Sequence, residues 1–229
     1  MTRLPLSEGL RLFTWPDSLP GEAPLLRDLL EIHGFVLHLR KPRLPRPAIR
    51  ALLEGLPEAA LARIMLHDQP GLAEALPVRG VVWNARHPLP ENAEEARREM
   101  RGTAAQPARF GLSAHSLDRL EHPPAGVDEI FFAPVYDSHS KPGHSPVETI
   151  ESIRSALERG TPRPTLALGG IEEFRFLEIL GAGFDGAAVL GSLWLPWQEE
   201  LTRTPDIKAV LTRAERLAEL WAQAVRGGV

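Results

Sequence analysis

The run Val127-Asp128-Glu129-Ile130-Phe131-Phe132-Ala133-Pro134-Val135-Tyr136-Asp137-Ser138-His139-Ser140-Lys141 decides the fold once it is set beside two others, Thr165-Leu166-Ala167-Leu168-Gly169-Gly170-Ile171 and Ala187-Ala188-Val189-Leu190-Gly191-Ser192. Each is a short apolar stretch closed by a turn of small or polar residues, the pattern of a buried strand that delivers a loop. The first loop holds two hydroxyls and an ammonium at Ser138, Ser140 and Lys141, a composition suited to an anion. The other two turns are glycine-rich, so backbone amides can approach a ligand with no Cβ in the way. Together they describe a phosphate cradle.

Reading outward from that stretch, the same unit repeats. Leu10–Thr14, Phe35–Lys41, Ile64–Asp68, Gly80–Trp83 and Arg109–Ser113 read as strands one to five. With Glu129–Ala133, Thr165–Leu168 and Gly186–Leu190 the count is eight. Between them lie helical patterns, among them Glu22–His33, Ala48–Leu56, Gly71–Leu76, Val147–Glu158 and Glu172–Leu180. A last helix over about residues 205–226 places Val210, Ala214, Leu217 and Trp221 on one face. Pro88 to Pro107 is the most polar stretch and reads as surface.

Eight strands alternating with helices predict a single α/β domain over residues 1–229, a (β/α)8 TIM barrel with the C-terminal helix packed on it. An open doubly wound sheet is the competing architecture. It would carry its glycine fingerprint after strand one, whereas the glycine turns here follow strands seven and eight, where barrels bind phosphate.

Composition excludes several functions. A net charge of −4 with both signs interspersed supplies no basic field for nucleic acid or for an anionic membrane surface. With no cysteine there is no disulfide, thiolate metal site or cysteine nucleophile. No apolar run approaches the length of a membrane span, and the expectation is a cytoplasmic protein. Trp194, Leu195 and Trp197 read as an exposed apolar patch that either caps the barrel or is buried in a homodimer.

The succession Leu39-Arg40-Lys41, His67-Asp68, Gly111-Leu112-Ser113-Ala114-His115-Ser116, Ala133 to Lys141, Ala167 to Ile171 and Gly183 to Leu190 resembles thiamine phosphate synthases and the related TenI thiazole tautomerases. The resemblance implies a (β/α)8 enzyme that joins hydroxymethylpyrimidine diphosphate to thiazole phosphate and releases diphosphate with Mg²⁺. It places Arg40 and Lys141 on the diphosphate with Ser113 beside it, and Ser138 and Ser140 on the thiazole side. Gly169, Gly170 and Gly191, with Leu190, fall at the thiazole phosphate. His38, Lys41, His67, Asn84, Arg86 and His115 complete the candidate substrate-binding set, and Asp68 is the candidate Mg²⁺ ligand.

Departures from the family pattern are as informative. Synthases carry an Asn-Asp pair after strand three and a second Asp after strand four. Here the pair is His67-Asp68, and the later loop is Asn84-Ala85-Arg86-His87, without an acid. One carboxylate is a poor Mg²⁺ site unless diphosphate oxygens complete the shell, and Arg86 is positioned to replace part of the missing charge. Pro42 stands where the synthases place a lysine. Tautomerases use a histidine where this chain has Pro134, which favours the transferase over a tautomerase. A phosphate-binding regulator without activity is the reading from another class, motivated by the lost acid.

Overall fold

Alternation along each strand sorts the side chains to two sides, because successive Cβ atoms point to opposite faces. In a computed structural model describing residues 4–31, 35–103, 105–137, 146–194, 196 and 206–228, that alternation builds two apolar cores. Phe13, Val36, Met65, Val82, Phe131, Leu166 and Ala188 fill the space inside a ring of strands. Their neighbours Leu12, Leu37, Leu66, Val81, Ile130, Ala167 and Val189 face outward and bury against helices.

In chain order the elements are α1 (Leu6–Gly9), β1 (Leu10–Phe13), α2 (Glu22–Glu31), β2 (Val36–Leu39), α3 (Arg46–Glu54), α4 (Glu58–Leu61), β3 (Ile64–His67), α5 (Pro70–Ala75), β4 (Gly80–Trp83) and α6 (Ala93–Glu99). They continue with β5 (Arg109–Ala114), α7 (Leu117–Glu121), β6 (Glu129–Phe132), α8 (Ile150–Arg159), β7 (Thr165–Leu168), a 3-10 turn (Glu173–Arg175), α9 (Phe176–Gly181), β8 (Gly186–Val189), α10 (Gly191–Trp194) and α11 (Ile207–Gly227). Every strand pairs in parallel with the next, and β8 returns to β1 through Leu10 with Ala187, Arg11 with Ala188 and Leu12 with Val189. The chain is a single (β/α)8 barrel.

The two ends of the barrel differ in chemistry. At the N-terminal end Arg11 and Glu129 are both wholly buried and joined at 3.0 Å, with Arg109 at 3.6 Å from the same carboxylate oxygen and Arg79 paired to Glu8 at 2.7 Å. Burial lowers the Arg11 pKa and the Glu129 charge opposes that. A buried charge is tolerated when it is paired, and this group closes the barrel floor. The C-terminal end carries the loops.

Two expectations are corrected. Trp194 is fully buried, and its indole nitrogen donates to the Phe13 carbonyl at 2.7 Å, so it caps the barrel instead of forming a surface patch. Leu195 and Trp197, the rest of the proposed homodimer patch, lie outside the described residues. The polar stretch from Pro88 to Pro107 is only partly surface. Asn92 caps α6, and Arg97 on that helix donates to Ala108 O, Gly126 O and Asp128, with its guanidinium over the Phe110 ring. Helix α11 packs on α2, α9 and α10 through the face that its spacing predicts, with Trp221 edge-on to Phe176.

Candidate active site

Two residues that the strand exits place side by side, Arg40 and Lys41, go opposite ways. Thr14 is buried beside β2, and its hydroxyl accepts from the Arg40 amide at 3.0 Å and donates to the Arg40 carbonyl at 3.3 Å. The pinned backbone sends the Arg40 side chain into a cavity of about 490 Å³ at the C-terminal ends of the strands. Lys41 turns outward and is buried. Its ammonium donates to Trp15 O at 2.8 Å, to Asp17 O at 2.7 Å and to the Glu22 carboxylate. Burial lowers the Lys41 pKa and raises that of Glu22, each opposed by the partner's charge. The expected substrate role of Lys41 is therefore corrected: all three of its donors are spent on structure.

The expected role of His38 is corrected for a related reason. It is wholly buried, stacked on Phe13 at 4.7 Å, and its Nδ1 lies 3.0 Å from Nε2 of His67. Burial, then the nearby positive groups, hold the His38 pKa well below its ordinary value, so the ring stays neutral. His67 lines the cavity; His38 lies beneath and fixes its ring.

The ends of β3 and β4 are stapled together. Asp68 adopts a left-handed backbone at φ 61°, and its Oδ1 accepts from Asn84 Nδ2 at 2.5 Å and from His87 Nδ1 at 3.0 Å. The Asn84 Oδ1 in turn accepts from the amides of Arg86 at 2.9 Å and His87 at 3.2 Å. Asp68 does not cap α5, whose N-cap position is Gln69. Its carboxylate holds a turn that carries Arg86 to the cavity wall.

On the neighbouring side, Ser113 and His115 follow from β5. His115 Nδ1 donates to the Ala133 carbonyl at 2.5 Å, which leaves Nε2 as the acceptor nitrogen of the neutral ring. Across the ring of strands from β3 stand Gly169 and Gly170 after β7. Both have left-handed backbones, at φ 91° and 64°. A Cβ on Gly169 would sit 2.8 Å from Pro134, and one on Gly170 2.4 Å from the Asp137 carbonyl. Only glycine lets this turn lie against the loop after β6, where the Val135 and Tyr136 amides donate to Leu168 O and Gly169 O.

Leu190 and Gly191 complete that wall, and the Ser192 hydroxyl donates to Ile171 O. Arg213, on α11, donates to Ser192 O at 2.8 Å and to both oxygens of Glu173 at 2.8 and 2.7 Å. Burial pushes the Glu173 carboxyl up, but the hydrogen bond and charge of Arg213 outweigh it and hold the pKa below the ordinary value.

Of the predicted site residues, the structure brings Arg40, His67, Asn84, Arg86, Ser113, His115, Gly169, Gly170, Leu190 and Gly191 to one cavity. Asp68 stands just behind Asn84. Ser138, Ser140 and Lys141 lie outside the described residues. Phe13, Glu173 and Arg213 are cavity residues that the sequence did not suggest, while Ser192 belongs to the third glycine turn that it did. Arg213 sits in an amphipathic helix where periodicity reports only the buried face, so nothing in the chain marks it.

The donors present do not fit a resident Mg²⁺. Oδ1 of Asp68 is already committed to two donors, and among the described residues no group of three His, Asp or Glu side chains converges on one point. Mg²⁺ requires a near-octahedral oxygen shell.

The fold and the site define a (β/α)8 barrel with an arginine-lined cavity at the C-terminal strand ends, the face on which barrel enzymes place their chemistry. A family model described as thiamine monophosphate synthase matches residues 23–193. The chain belongs to that family. Curated relatives include a thiamine-phosphate synthase of Listeria innocua, 29% identical over 53% of this chain and 53% of the relative. Another, of Halorhodospira halophila, is 33% identical over 58% of this chain and 60% of the relative. The chain thus spans about half the length of the curated relatives it matches. Among solved structures, thiamine phosphate pyrophosphorylase from Bacteroides thetaiotaomicron superposes with a TM-score of 0.71 at 28% identity, covering 93% of this chain and 96% of that one.

Proposed function

We propose that the cavity joins hydroxymethylpyrimidine diphosphate to thiazole phosphate, forming thiamine phosphate and diphosphate. The observation that carries this reading is a cavity with two anion-suited ends: Arg40 and Arg86 on the β2–β4 side and the glycine turns of β7 and β8 across the ring. A volume of about 490 Å³ accommodates two small heterocycles. Membership of the synthase family supports the same substrates.

In the reaction the C–O bond between the pyrimidine methylene and the diphosphate breaks, and its electron pair leaves on the diphosphate oxygen. The thiazole nitrogen lone pair then forms the new C–N bond, which leaves the ring as a thiazolium. Arg40 stabilises the charge that grows on the leaving group, and a fixed guanidinium does so without reorganising. Lys141, following β6 in chain order, is the proposed second cation, with Ser138 and Ser140 toward the thiazole. Ser113 and His67 line the intervening wall and restrict the pyrimidine to an orientation that faces the nitrogen. Pro134, where the tautomerases carry histidine, also lines the cavity and has no proton to transfer, so the geometry favours the transferase. Both substrates are phosphorylated and do not cross membranes unaided, which supports a cytoplasmic location.

Incubating the protein with both substrates and following thiamine phosphate by mass tests this reading. Product that requires both substrates is expected. Conversion of the thiazole alone to an isomer would replace the transferase with a tautomerase.

A further inference from the structure

The geometry points to a division of labour at the ends of β3 and β4 that the family resemblance does not imply. We propose that the leaving diphosphate is held directly by the paired guanidiniums of Arg40 and Arg86, with Asp68 as the anchor of the Arg86 turn and no divalent cation resident on the protein. The proposal rests on the transferase reading for the identity of the ligand.

Three observations carry it. First, Arg40 and Arg86 line the same cavity, and neither guanidinium makes an ion pair or hydrogen bond with another described residue. They also act on each other: after burial, the Arg86 charge is the larger electrostatic influence on Arg40, ahead of the opposing charge of Asp68. Two like charges facing one space are costly unless an anion completes them, and a planar guanidinium pairs with phosphoryl oxygens through two parallel hydrogen bonds.

Second, one oxygen of the carboxylate that would recruit a cation is otherwise engaged. Oδ1 of Asp68 takes the Asn84 amide and His87 Nδ1, and Asn84 passes the constraint on by accepting the Arg86 and His87 amides. The Asn84 backbone N–H donates to the His87 carbonyl at 2.9 Å and closes the turn. The three-residue chain from Asp68 through Asn84 to the Arg86 backbone is a built support for an exposed arginine. A solvated surface arginine needs no such support.

Third, at neutral pH a diphosphate ester carries two to three negative charges, and the two arginines on the cavity wall offset most of that charge without a metal.

The test is calorimetric titration of the full chain with inorganic diphosphate, in EDTA and then in excess Mg²⁺. Direct arginine binding predicts saturable binding in EDTA that Mg²⁺ leaves unchanged or weakens, because a cation on the ligand competes with the guanidiniums. Arg86→Gln is expected to weaken binding in EDTA by about tenfold or more. Arg86→Lys, which keeps the charge and loses the fork, falls between the two. Asn84→Ala is expected to weaken binding severalfold, and the Asn84→Ala/Arg86→Gln double variant to bind no worse than Arg86→Gln alone, the signature of a positioning residue acting through Arg86. Diphosphate binding that appears only with Mg²⁺, or an Arg86→Gln chain that binds as wild type does, overturns the proposal.

The two readings fail separately. Diphosphate binding in EDTA without formation of thiamine phosphate retires the transferase and leaves the arginine site. Turnover and diphosphate binding that both require Mg²⁺ retire the arginine site and leave the transferase.

Discussion

Arg40 owes its place in the cavity to the Thr14 hydroxyl, which bonds both its amide and its carbonyl, and that support allows a side chain on a strand exit to act as a fixed charge. Removing a cation aimed at charge that develops in the transition state costs about 10²- to 10³-fold in turnover. Arg40→Ala is therefore expected to lose kcat by that factor while thermal unfolding stays within about 1 kcal/mol of wild type. Steady-state kinetics and a melting curve check both halves. Lys41 should behave in the opposite way. Lys41→Met leaves the Glu22 carboxylate buried without its partner, and a loss of about 3–5 kcal/mol in stability is expected by urea denaturation. Adding Glu22→Gln should recover much of it. The sequence shows Arg40-Lys41 as a pair of cations at a strand end, but only strand alternation distinguishes them, and which residue faces inward depends on a register set by neighbouring strands. His38 was opaque for the same reason. A histidine in an apolar strand reads identically whether it touches ligand or supports the one that does.

At the scale of elements, the strands were legible to within a few residues because each is an apolar run bounded by turn residues. Short helices were not. Helix α4 and helix α10 are four residues each, too short for any periodicity to show, and α10 follows the glycine turn of β8 directly. The turn after β7 was recognised by its glycines, and the structure adds the reason for both of them. Gly170→Ala would place a Cβ 2.4 Å from the Asp137 carbonyl in a left-handed backbone, so a destabilisation of at least about 1–2 kcal/mol is expected, with weaker binding of thiazole phosphate. Denaturation and calorimetry measure the two effects. The connection through Arg213 was invisible, since it joins α11 to the Gly191-Ser192 turn and to Glu173 across the fold. Arg213→Ala frees that turn and unmasks Glu173 on the cavity wall. An increase in KM for thiazole phosphate is expected, with KM for the diphosphate substrate little changed, because Arg213 touches only the β7–β8 wall.

For the whole molecule, the ring of eight strands separates a floor built for stability from a rim built for chemistry. The buried arginine and glutamate floor lies at one end, and His38 lies between it and the cavity, bonded to His67 on the cavity wall. His38 stays neutral in the folded barrel at a pH where the unfolded chain takes up a proton. Below about pH 6.5 the unfolded state therefore binds more protons than the native one, and stability falls as pH drops. The contribution is at most about 1.4 kcal/mol per pH unit and ends once the native group also titrates. Denaturation midpoints at pH 7.5, 6.5 and 5.5 should show the decline, and His38→Gln should flatten it. The overall architecture could be read from the alternation of strands and helices and from the position of the glycine turns. The part that α11 plays in a cavity lined from all eight strand ends could not, because periodicity marks only the buried face of that helix.

The most direct test of the central claim compares two products of one reaction. With wild-type protein, hydroxymethylpyrimidine diphosphate and thiazole phosphate, released diphosphate and newly formed thiamine phosphate are measured in the same samples over time. The transferase account predicts that both rise together at one mole per mole, and that neither appears when thiazole phosphate is left out. Tight binding of thiamine phosphate with no release of diphosphate would contradict it and would make this barrel a binding protein.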